Sequence, residues 1–169
     1  MKPGGGKGKG ADFEMRISRA FTAWWGQGKF VRTANMQCSS RDSRLAHGDV
    51  ACLLGDKSPS LDHTFPFSIE CKNDESFLFV HLFRKDTQPL LGWWNQAKRD
   101  AELWDKQPML VFTKNWYPDF VMTHLRDTII GDNSTFHRYL MLNGEHLVIS
   151  LLQDWVVENG HYKEGRNVA

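Results

Sequence analysis

An acidic and a basic residue stand two positions apart in one short apolar segment, and a second acid opens the segment before it. Glu70 and Lys72 lie within residues 66–72 (PFSIECK), and Asp49 is near the start of residues 48–54 (GDVACLL). Both segments are apolar and bounded by turn residues, which predicts strands. Because side chains alternate along a strand, Glu70 and Lys72 should share one face. If the two strands pair, the carboxylate of Asp49 converges on Glu70.

These side chains would supply the parts needed for metal-assisted hydrolysis. A third acid, Glu14, precedes them in a predicted helix. Three carboxylates brought together repel one another, and a hard divalent cation relieves that repulsion. Mg²⁺ typically binds a couple of carboxylates together with water and phosphate oxygens. The ammonium group of Lys72 could orient or deprotonate a water, or stabilise charge that develops on a phosphate. The pattern therefore indicates hydrolysis of a phosphodiester bond.

The elements that must position these residues can be predicted along the chain. Apolar residues recur at helical spacing from Phe13 to Trp24, with Asp12 as N-cap and Gly26 and Gly28 as stop signals. The other predicted elements are strands at 29–34, 48–54, 66–72, 109–113, 119–125, 137–142 and 145–149, and helices from Pro89 to near Lys106 and over 151–158. Strands that alternate with helices predict an α/β fold with a mixed central sheet flanked by helices.

The remaining segments are less regular. Residues 35–47 are polar and predict a loop, residues 55–66 contain two prolines and predict turns, and residues 75–83 are apolar but ambiguous between helix and strand. The expected organisation is a flexible Gly/Lys tail at 1–10, one domain at 11–160 with a core at 11–125 and an extension at 126–160, and a tail at 161–169.

The amino-acid composition restricts the classes of function that the protein can have. The chain has 169 residues, 41% hydrophobic and 24% charged, as in ordinary globular domains. Its net charge is only +1, so any DNA contact must come from charges segregated on one face. Three cysteines without a CxxC pair argue against a disulfide framework and favour a reducing cytoplasm. Without an apolar run of roughly 20 residues or a phosphate-binding loop, neither a membrane nor a nucleotide cofactor is expected.

Other residues compete for the role of metal ligand. Asp56 and Asp62 are acids, but they lie in the turn-rich segment rather than at the start of a strand. Donors typical of zinc sites are also present: Cys38, His47, Cys52, His63 and Cys71. Their spacing fits no standard zinc finger, and Cys71 should point away from Glu70. We therefore expect a magnesium site rather than a zinc site.

The order of these motifs resembles the PD-(D/E)xK nuclease superfamily. Glu14 comes first, residues 48–50 (GDV) follow, and residues 69–72 (IECK) complete the series. More narrowly, the chain is similar to the archaeal-type Holliday junction resolvases, which phages also carry. The resemblance covers about residues 11–125.

The resemblance implies a role for each matching acid and for the lysine. Asp49, Glu70 and the main-chain carbonyl of Cys71 would bind Mg²⁺, for which Mn²⁺ would substitute. Glu14 would complete the acidic cluster, and Lys72 would assist the attacking water.

The resemblance also implies which residues contact DNA. In the resolvases a strand after helix one carries an arginine, here Arg32, and a mobile loop carries serine, here Ser39 and Ser40. A glutamine on the helix after the E-x-K strand corresponds to Gln96. Two more residues of the loop, Arg41 and Arg44, either contact phosphates or are simply solvated.

The sequence departs from the family pattern in some places. Gly48 stands where the motif has proline, and Met15 stands where the resolvases often have a basic residue, with Arg16 one position later. The 55–66 insertion and the region after Leu125 are longer than a resolvase core requires.

The expected partner is branched DNA, namely a four-way junction, in the cytoplasm of a phage's host. Resolution requires two nicks, which favours a homodimer with two sites. The contacts of its interface are expected to be drawn from a pool of aromatic residues, with burial in the core as the default for the two adjacent tryptophans: Phe77, Phe79, Phe83, Trp93 and Trp94. The alternatives are another nuclease of the superfamily, either restriction-like or associated with replication or repair, and a DNA-binding protein whose site has decayed. The intact set of acids and lysine argues against decay.

Overall fold

Strands and helices alternate along most of the chain. The computed structural model describes residues 5–36, 47–55, 58–82, 89–132 and 134–164. The helices in these ranges are α1 (Gly5–Trp25), α2 (Leu90–Leu103), α3 (Leu152–Glu158) and α4 (His161–Glu164). The strands are β1 (Lys29–Arg32), β2 (Val50–Leu54), β3 (Ser60–Leu61), β4 (Phe67–Asn73), β5 (Gln107–Thr113), β6 (Phe120–His124), β7 (His137–Leu142) and β8 (Glu145–Leu151).

All the strands of the described ranges belong to one mixed sheet. Its order is β1-β2-β4-β5-β6-β8-β7, and β3 pairs with β2 beside this path. Strands β4 and β5 are parallel, with Glu70 opposite Leu110, while the other neighbours are antiparallel. A parallel pair needs a crossover connection, and α2 supplies it. The predicted α/β class with a mixed central sheet is confirmed.

Helices cover both faces of the sheet. On one face α1 packs through Ile17 and Phe21 in a cluster with Ile69 of β4 and Trp155 of α3. On the other face Trp94 of α2 lies in a second cluster, with apolar residues of β5, β6 and β8. Strand β4 alternates between these faces: Phe67, Ile69 and Cys71 lie in the cluster on the α1 side, whereas Glu70 and Lys72 lie on the α2 side, where Glu70 is buried as well.

Some boundaries differ from those that the sequence predicts. Helix α1 begins at Gly5, so the helix includes part of the expected 1–10 tail, and Asp12 lies inside it rather than at its N-cap. Glycine costs about 1 kcal/mol in a helix relative to alanine, which is why the sequence favours a tail there. Extending a helix that is already nucleated requires fixing only one residue per added hydrogen bond. A short helix, α4, likewise occupies the start of the expected 161–169 tail.

The C-terminal hairpin is confirmed in its predicted register. Leu142 pairs with Glu145 around the Asn143-Gly144 turn, and both turn residues have positive φ. Within the ambiguous 75–83 segment, Phe79–Leu82 form a 3-10 helix. No helix in the described part of the chain combines the length and apolar character needed to cross a membrane.

Candidate active site

The chain enters β2 through a backbone conformation that glycine adopts most readily. Gly48 has a φ of +81°, and a Cβ atom there would lie 2.6 Å from the carbonyl oxygen of Ile69 and 2.9 Å from Oγ of Ser68. Proline, whose φ is fixed near −65°, is incompatible with this conformation. The glycine that replaces the proline of the family motif is therefore a requirement of the local fold.

Thr33 holds the same stretch of backbone from the side of β1. Its N–H donates to the carbonyl of Asp49 at 2.9 Å, and its hydroxyl donates to the carbonyl of Gly48 at 2.8 Å. The N–H of Asp49 in turn donates to the carbonyl of Ile69 on β4 at 2.7 Å. The backbone of Asp49 is thus fixed from both neighbouring strands. Sequence reasoning missed Thr33, whose one signal is its position directly after Arg32.

The carboxylate of Asp49 takes the place of a main-chain carbonyl as hydrogen-bond acceptor for an N–H group of β4. Strands β2 and β4 pair at Val50 and Ile69, and next to this pair Oδ2 of Asp49 accepts the N–H of Cys71 at 2.8 Å. The N–H and C=O groups of one strand residue face the same neighbouring strand. The carbonyl of Cys71 therefore faces the same gap as the Asp49 carboxylate. The predicted pairing of the two strands is confirmed.

Glu70 is a buried acid on the face of the sheet that α2 covers. Its exposed fraction is only 1%. Burial and, after it, the charge of Asp49 raise the pKa of Glu70 to about 7 against the opposing effect of Lys72. Burial also raises the pKa of Asp49, although the hydrogen bond from Cys71 opposes the rise. Simultaneous ionisation of the two acids is unfavourable, so a cation that binds between them would stabilise the protein.

Lys72 joins β4 to α2. Its Nζ donates to Oε1 of Glu70 at 2.5 Å and to Oε1 of Gln96 at 3.0 Å. The predicted common face of Glu70 and Lys72 is confirmed. Gln96 lies beside them, whereas its contact with DNA stays a prediction.

A further acid, Asp100, faces this group from α2. Its charge raises the pKa of both Asp49 and Glu70. Residues four apart share one face of a helix, and Asp100 follows Gln96 by four positions. That spacing is the signal by which the sequence could have revealed Asp100, which we had not predicted.

Glu14 reaches the cluster from α1 in partnership with Arg32. Nε of Arg32 donates to Oε2 of Glu14 at 2.6 Å, and the two side chains are only 19% and 18% exposed. The charge of Glu14 raises the pKa of Asp49, which places the two acids near each other. Arg32 therefore offsets the charge of Glu14 in this structure, and its expected DNA contact remains a prediction.

Several other candidates have structural roles or lie elsewhere. Asp62 accepts hydrogen bonds from Nε1 of Trp25 at 2.8 Å and from the N–H of Thr64 at 2.8 Å, as a buried structural acid would. Arg16 forms a bidentate ion pair with Asp119: both of its Nη atoms donate to the carboxylate, and Nη2 lies 2.9 Å from Oδ1. The remaining predicted positions lie outside the described residues: Ser39, Ser40, Arg41, Arg44, Asp56 and Cys38.

The donor set fits Mg²⁺ better than zinc. The side chain of Cys71 lies in the core cluster on the α1 face, and burial raises the pKa of its thiol well above the usual value. Within the described ranges, no three side chains of His, Cys, Asp or Glu are grouped so as to hold a metal ion. Mg²⁺ usually needs only one or two carboxylates, because it retains several waters. Asp49, Glu70 and the carbonyl of Cys71 meet that requirement.

A mixed sheet with this acid and lysine cluster defines an α/β protein of the PD-(D/E)xK nuclease class. The profile of a family described as "Phage putative PDDEXK endonuclease" matches residues 5–151. This match covers most of the chain and the whole site from Glu14 to Asp100, so the chain belongs to this family of phage endonucleases. No curated protein and no solved structure matches it.

Proposed function

We propose that the protein is a Mg²⁺-dependent DNA endonuclease that resolves four-way junctions by hydrolysing two phosphodiester bonds. The observation that supports this best is the pair of adjacent acids, Asp49 and Glu70, with raised pKa values beside Lys72. Burying ionisable groups together costs free energy that a structural role alone does not return. A divalent cation and a phosphate are the ligands that such a group fits.

The metal would be held by the carboxylates of Asp49 and Glu70 and by the main-chain carbonyl of Cys71. Glu14, whose carboxylate is paired with Arg32, would complete the acidic cluster from the side of α1. When bound, Mg²⁺ stabilises negative charge on the phosphate and makes a water more acidic. Mn²⁺ should substitute for it, whereas Ca²⁺ should allow DNA binding without turnover because its coordination is looser.

Lys72 is the group that would act on the attacking water or on the phosphate. Its ammonium has three N–H donors, of which one goes to Glu70 and one to Gln96. The third is left to orient a water or to donate to the charge that develops on the phosphate. Gln96 positions this ammonium and is the candidate for contact with the DNA backbone.

Because junction resolution requires two nicks, we propose that the protein is a dimer with two-fold symmetry. A net charge of +1 is small for one subunit that must hold a large polyanion. A dimer would set two basic faces side by side and would present two sites to opposing strands of the junction. Such an enzyme would act in the cytoplasm of the host cell.

The set of aromatic residues expected at the dimer interface needs correction. Phe77 is 1% exposed and Trp94 is 0% exposed, because both pack in the core of their own subunit. Nε1 of Trp94 is also bound to Oε2 of Glu145 at 2.8 Å. The expectation that these two residues contact a partner is wrong.

Neighbouring side chains remain available for such an interface. Phe79 and Trp93 are partly exposed, and next to Phe79 the side chains of Leu78 and Val80 are 51% and 41% exposed. Phe83 lies outside the described residues. We therefore place the proposed interface around residues 78–80.

A cleavage gel with three DNA substrates tests the proposal. A four-way junction, a fork and a linear duplex of the same sequence would be incubated with Mg²⁺, Mn²⁺, Ca²⁺ or EDTA. We expect paired nicks in the junction with Mg²⁺ or Mn²⁺ only, and a dimer in sedimentation at micromolar concentration.

Two other outcomes would favour the alternatives. A monomer that cuts linear duplex as readily as junctions would contradict junction resolution and leave another nuclease of the same class. Binding without cleavage of any substrate would indicate a DNA-binding protein with a decayed site.

A further inference from the structure

The turn between β5 and β6 presents a fully exposed tryptophan in a strained conformation. Trp116 is 101% exposed and has a φ of +69°. The N–H of Tyr117 donates to the carbonyl of Lys114 at 3.0 Å, so Trp116 is the third residue of a four-residue turn. At that position a positive φ is normally taken by glycine or asparagine. Both the conformation and the exposure of so large an apolar surface are unfavourable for folding alone.

The turn that carries this tryptophan is held firmly. The buried hydroxyl of Thr113 lies 3.2 Å from the carbonyl oxygens of Lys114 and Pro118. The ring of Tyr117 stacks on Phe79 with a centroid separation of 4.6 Å. Nζ of Lys114 donates to the main-chain carbonyl of residue 77 at 3.1 Å. The exposed side chain is thus presented by an ordered turn.

The turn lies at the same end of the sheet as Lys72 of β4. Thr113, the last residue of β5, pairs with Asn73, which directly follows Lys72. Trp116 is three residues beyond Thr113. The dimensions of the chain therefore place the Cα atom of Trp116 within about 20 Å of that of Lys72.

A basic cleft separates this turn from α1. The cleft has a volume of about 590 Å³, and its lining includes Lys9, Arg16 and Arg19 of α1 together with Asn73 and Asn115. The lining also holds one acid, Asp12, and two of the three cations have carboxylate partners: Arg16 pairs with Asp119, and Nζ of Lys9 lies 3.8 Å from Glu75 in an exposed pair. Because an exposed pair contributes little to stability, Lys9 can exchange Glu75 for a phosphate, and together with Arg19 it offers two cations to a phosphate backbone.

Taking the proposed nuclease function as given, we propose that Trp116 stacks on a base left unpaired or unstacked at a DNA branch point. The basic cleft then carries the phosphates of the same strand. An aromatic ring stacks on any base, because every base has a π-face, so this contact selects for DNA structure rather than for sequence. A fully paired duplex buries its base faces and offers Trp116 no such partner. This contact is separate from those expected of Arg32 and the 37–46 segment.

Trp116→Gly separates this role from a structural one. Glycine favours a positive φ, so the variant should unfold at a temperature equal to or above that of its parent. Its DNA binding should nevertheless fall. Trp116→Phe, which keeps a stacking ring, should retain most of the affinity. Tyr139→Ala is the matched control, because Tyr139 is a half-exposed aromatic residue on the edge strand β7.

The measurement is equilibrium binding by the full chain carrying Asp49→Asn, so that the DNA is not cut. The two probes are a fork with unpaired arms and a fully paired duplex of the same length. We expect Trp116→Gly to weaken fork binding by roughly ten-fold or more and duplex binding by less than about two-fold. Tyr139→Ala should change neither.

Four results would overturn the inference. They are an unchanged affinity for the fork, an equal loss on fork and duplex, a loss accompanied by a lower melting temperature, and a change from dimer to monomer in sedimentation. The last would make Trp116 a contact between two copies of the chain. If the Asp49→Asn parent bound neither DNA, the proposed function would fall together with this inference. If the parent bound both and Trp116→Gly made no difference, only this inference would fall.

Discussion

The main-chain N–H of Cys71 donates to Oδ2 of Asp49 at 2.8 Å, so an acidic side chain stands where a strand would otherwise supply a carbonyl. The acid can take this place because β2 and β4 pair only at Val50 and Ile69. Where the two strands separate, a carboxylate, a main-chain carbonyl and the buried Glu70 face one another. The candidate metal site thus forms at the point where β2 and β4 stop pairing.

Gly48→Ala should displace Asp49 and reduce cleavage. Gly48 combines a positive φ with a close approach to the carbonyl of Ile69. The conformation alone should cost an alanine about 1–2 kcal/mol, and the collision adds to it. We expect a lower free energy of unfolding in urea denaturation and at least a ten-fold lower cleavage rate, since a displacement of about 1 Å can cost far more.

Gly144→Ala is the control for the conformational part of this effect. Gly144 has a φ of +83° in the Asn143-Gly144 turn, but a Cβ atom there would meet nothing within 4 Å. Backbone strain should lower the stability of this variant by a similar amount, but the variant should keep full cleavage activity. Equal losses of stability and activity in the two variants would refute the role of the close approach at Gly48.

Glu70→Gln should stabilise the metal-free protein at neutral and alkaline pH. Burial and, after it, the charge of Asp49 raise the pKa of Glu70 from its usual 4.5 to about 7. The folded state therefore binds more protons than the unfolded state between these values, and the stability of the natural chain falls as the pH rises from about 4.5 to about 7. Glutamine removes this loss, so the variant should gain up to roughly 3 kcal/mol near pH 8 and almost nothing below about pH 4.5.

Urea denaturation in EDTA at both pH values would measure this difference. Glu102→Gln changes an exposed acid on α2 and should show no such pH dependence. A Glu70→Gln protein less stable than the natural chain near pH 8 would show that Glu70 is not the strained acid described here.

Lys72→Met should lower kcat by about 10²–10⁴-fold, the usual contribution of a proton-transfer or charge-stabilising group. Gln96→Ala should have a smaller effect on kcat, because Gln96 affects the reaction by holding the ammonium of Lys72. Its expected contact with the DNA backbone would show separately as a higher KM. Since the two act as one unit, adding Gln96→Ala to Lys72→Met should cause no further loss in single-turnover experiments. Additive losses would mean that Gln96 acts independently. Lys98→Met, whose lysine pairs with Glu145, is the control on the same helix.

Arg41→Ala and Arg44→Ala should each weaken DNA binding and flatten its salt dependence. Both residues lie outside the described ranges, and this prediction rests on their charge and on the resemblance of their segment to the resolvase loop. Each lost phosphate contact should reduce the slope of log K against log salt by about one. Arg126→Ala, an exposed arginine beside a different cleft, should leave the slope unchanged. An unchanged slope in the Arg41/Arg44 double variant would place the DNA face elsewhere.

Local patterns were enough to predict the parts of the site that lie on one strand. Alternation along β4 predicts that Glu70 and Lys72 share a face, and the hydrogen bond between them confirms it. The hairpin at Asn143-Gly144 was equally predictable, because its turn residues favour positive φ. In both cases the deciding forces act between residues close in sequence.

Contacts between distant elements could not be predicted in this way. The bond from Thr33 to Gly48 and the approach of Asp100 to the acids depend on how separate elements pack. By contrast, the helical spacing of Leu90, Trp94, Ala97 and Ala101 indicates which of the adjacent tryptophans on α2 is buried, and the structure buries all four of these residues. The exposed and strained Trp116 has no signature in the sequence beyond its place in a turn.

The most direct test of the metal-dependent nuclease site compares the cleavage rate of DNA by the natural chain, by Asp49→Asn and by Asp105→Asn with and without Mg²⁺. Asp105 is an exposed acid with a φ of +52°, a conformation that asparagine tolerates, so it is a matched control away from the site. We predict cleavage only with Mg²⁺, full activity for Asp105→Asn, and no cleavage but intact DNA binding for Asp49→Asn. Cleavage by Asp49→Asn at the natural rate, or cleavage that persists in EDTA, would contradict this assignment of the site.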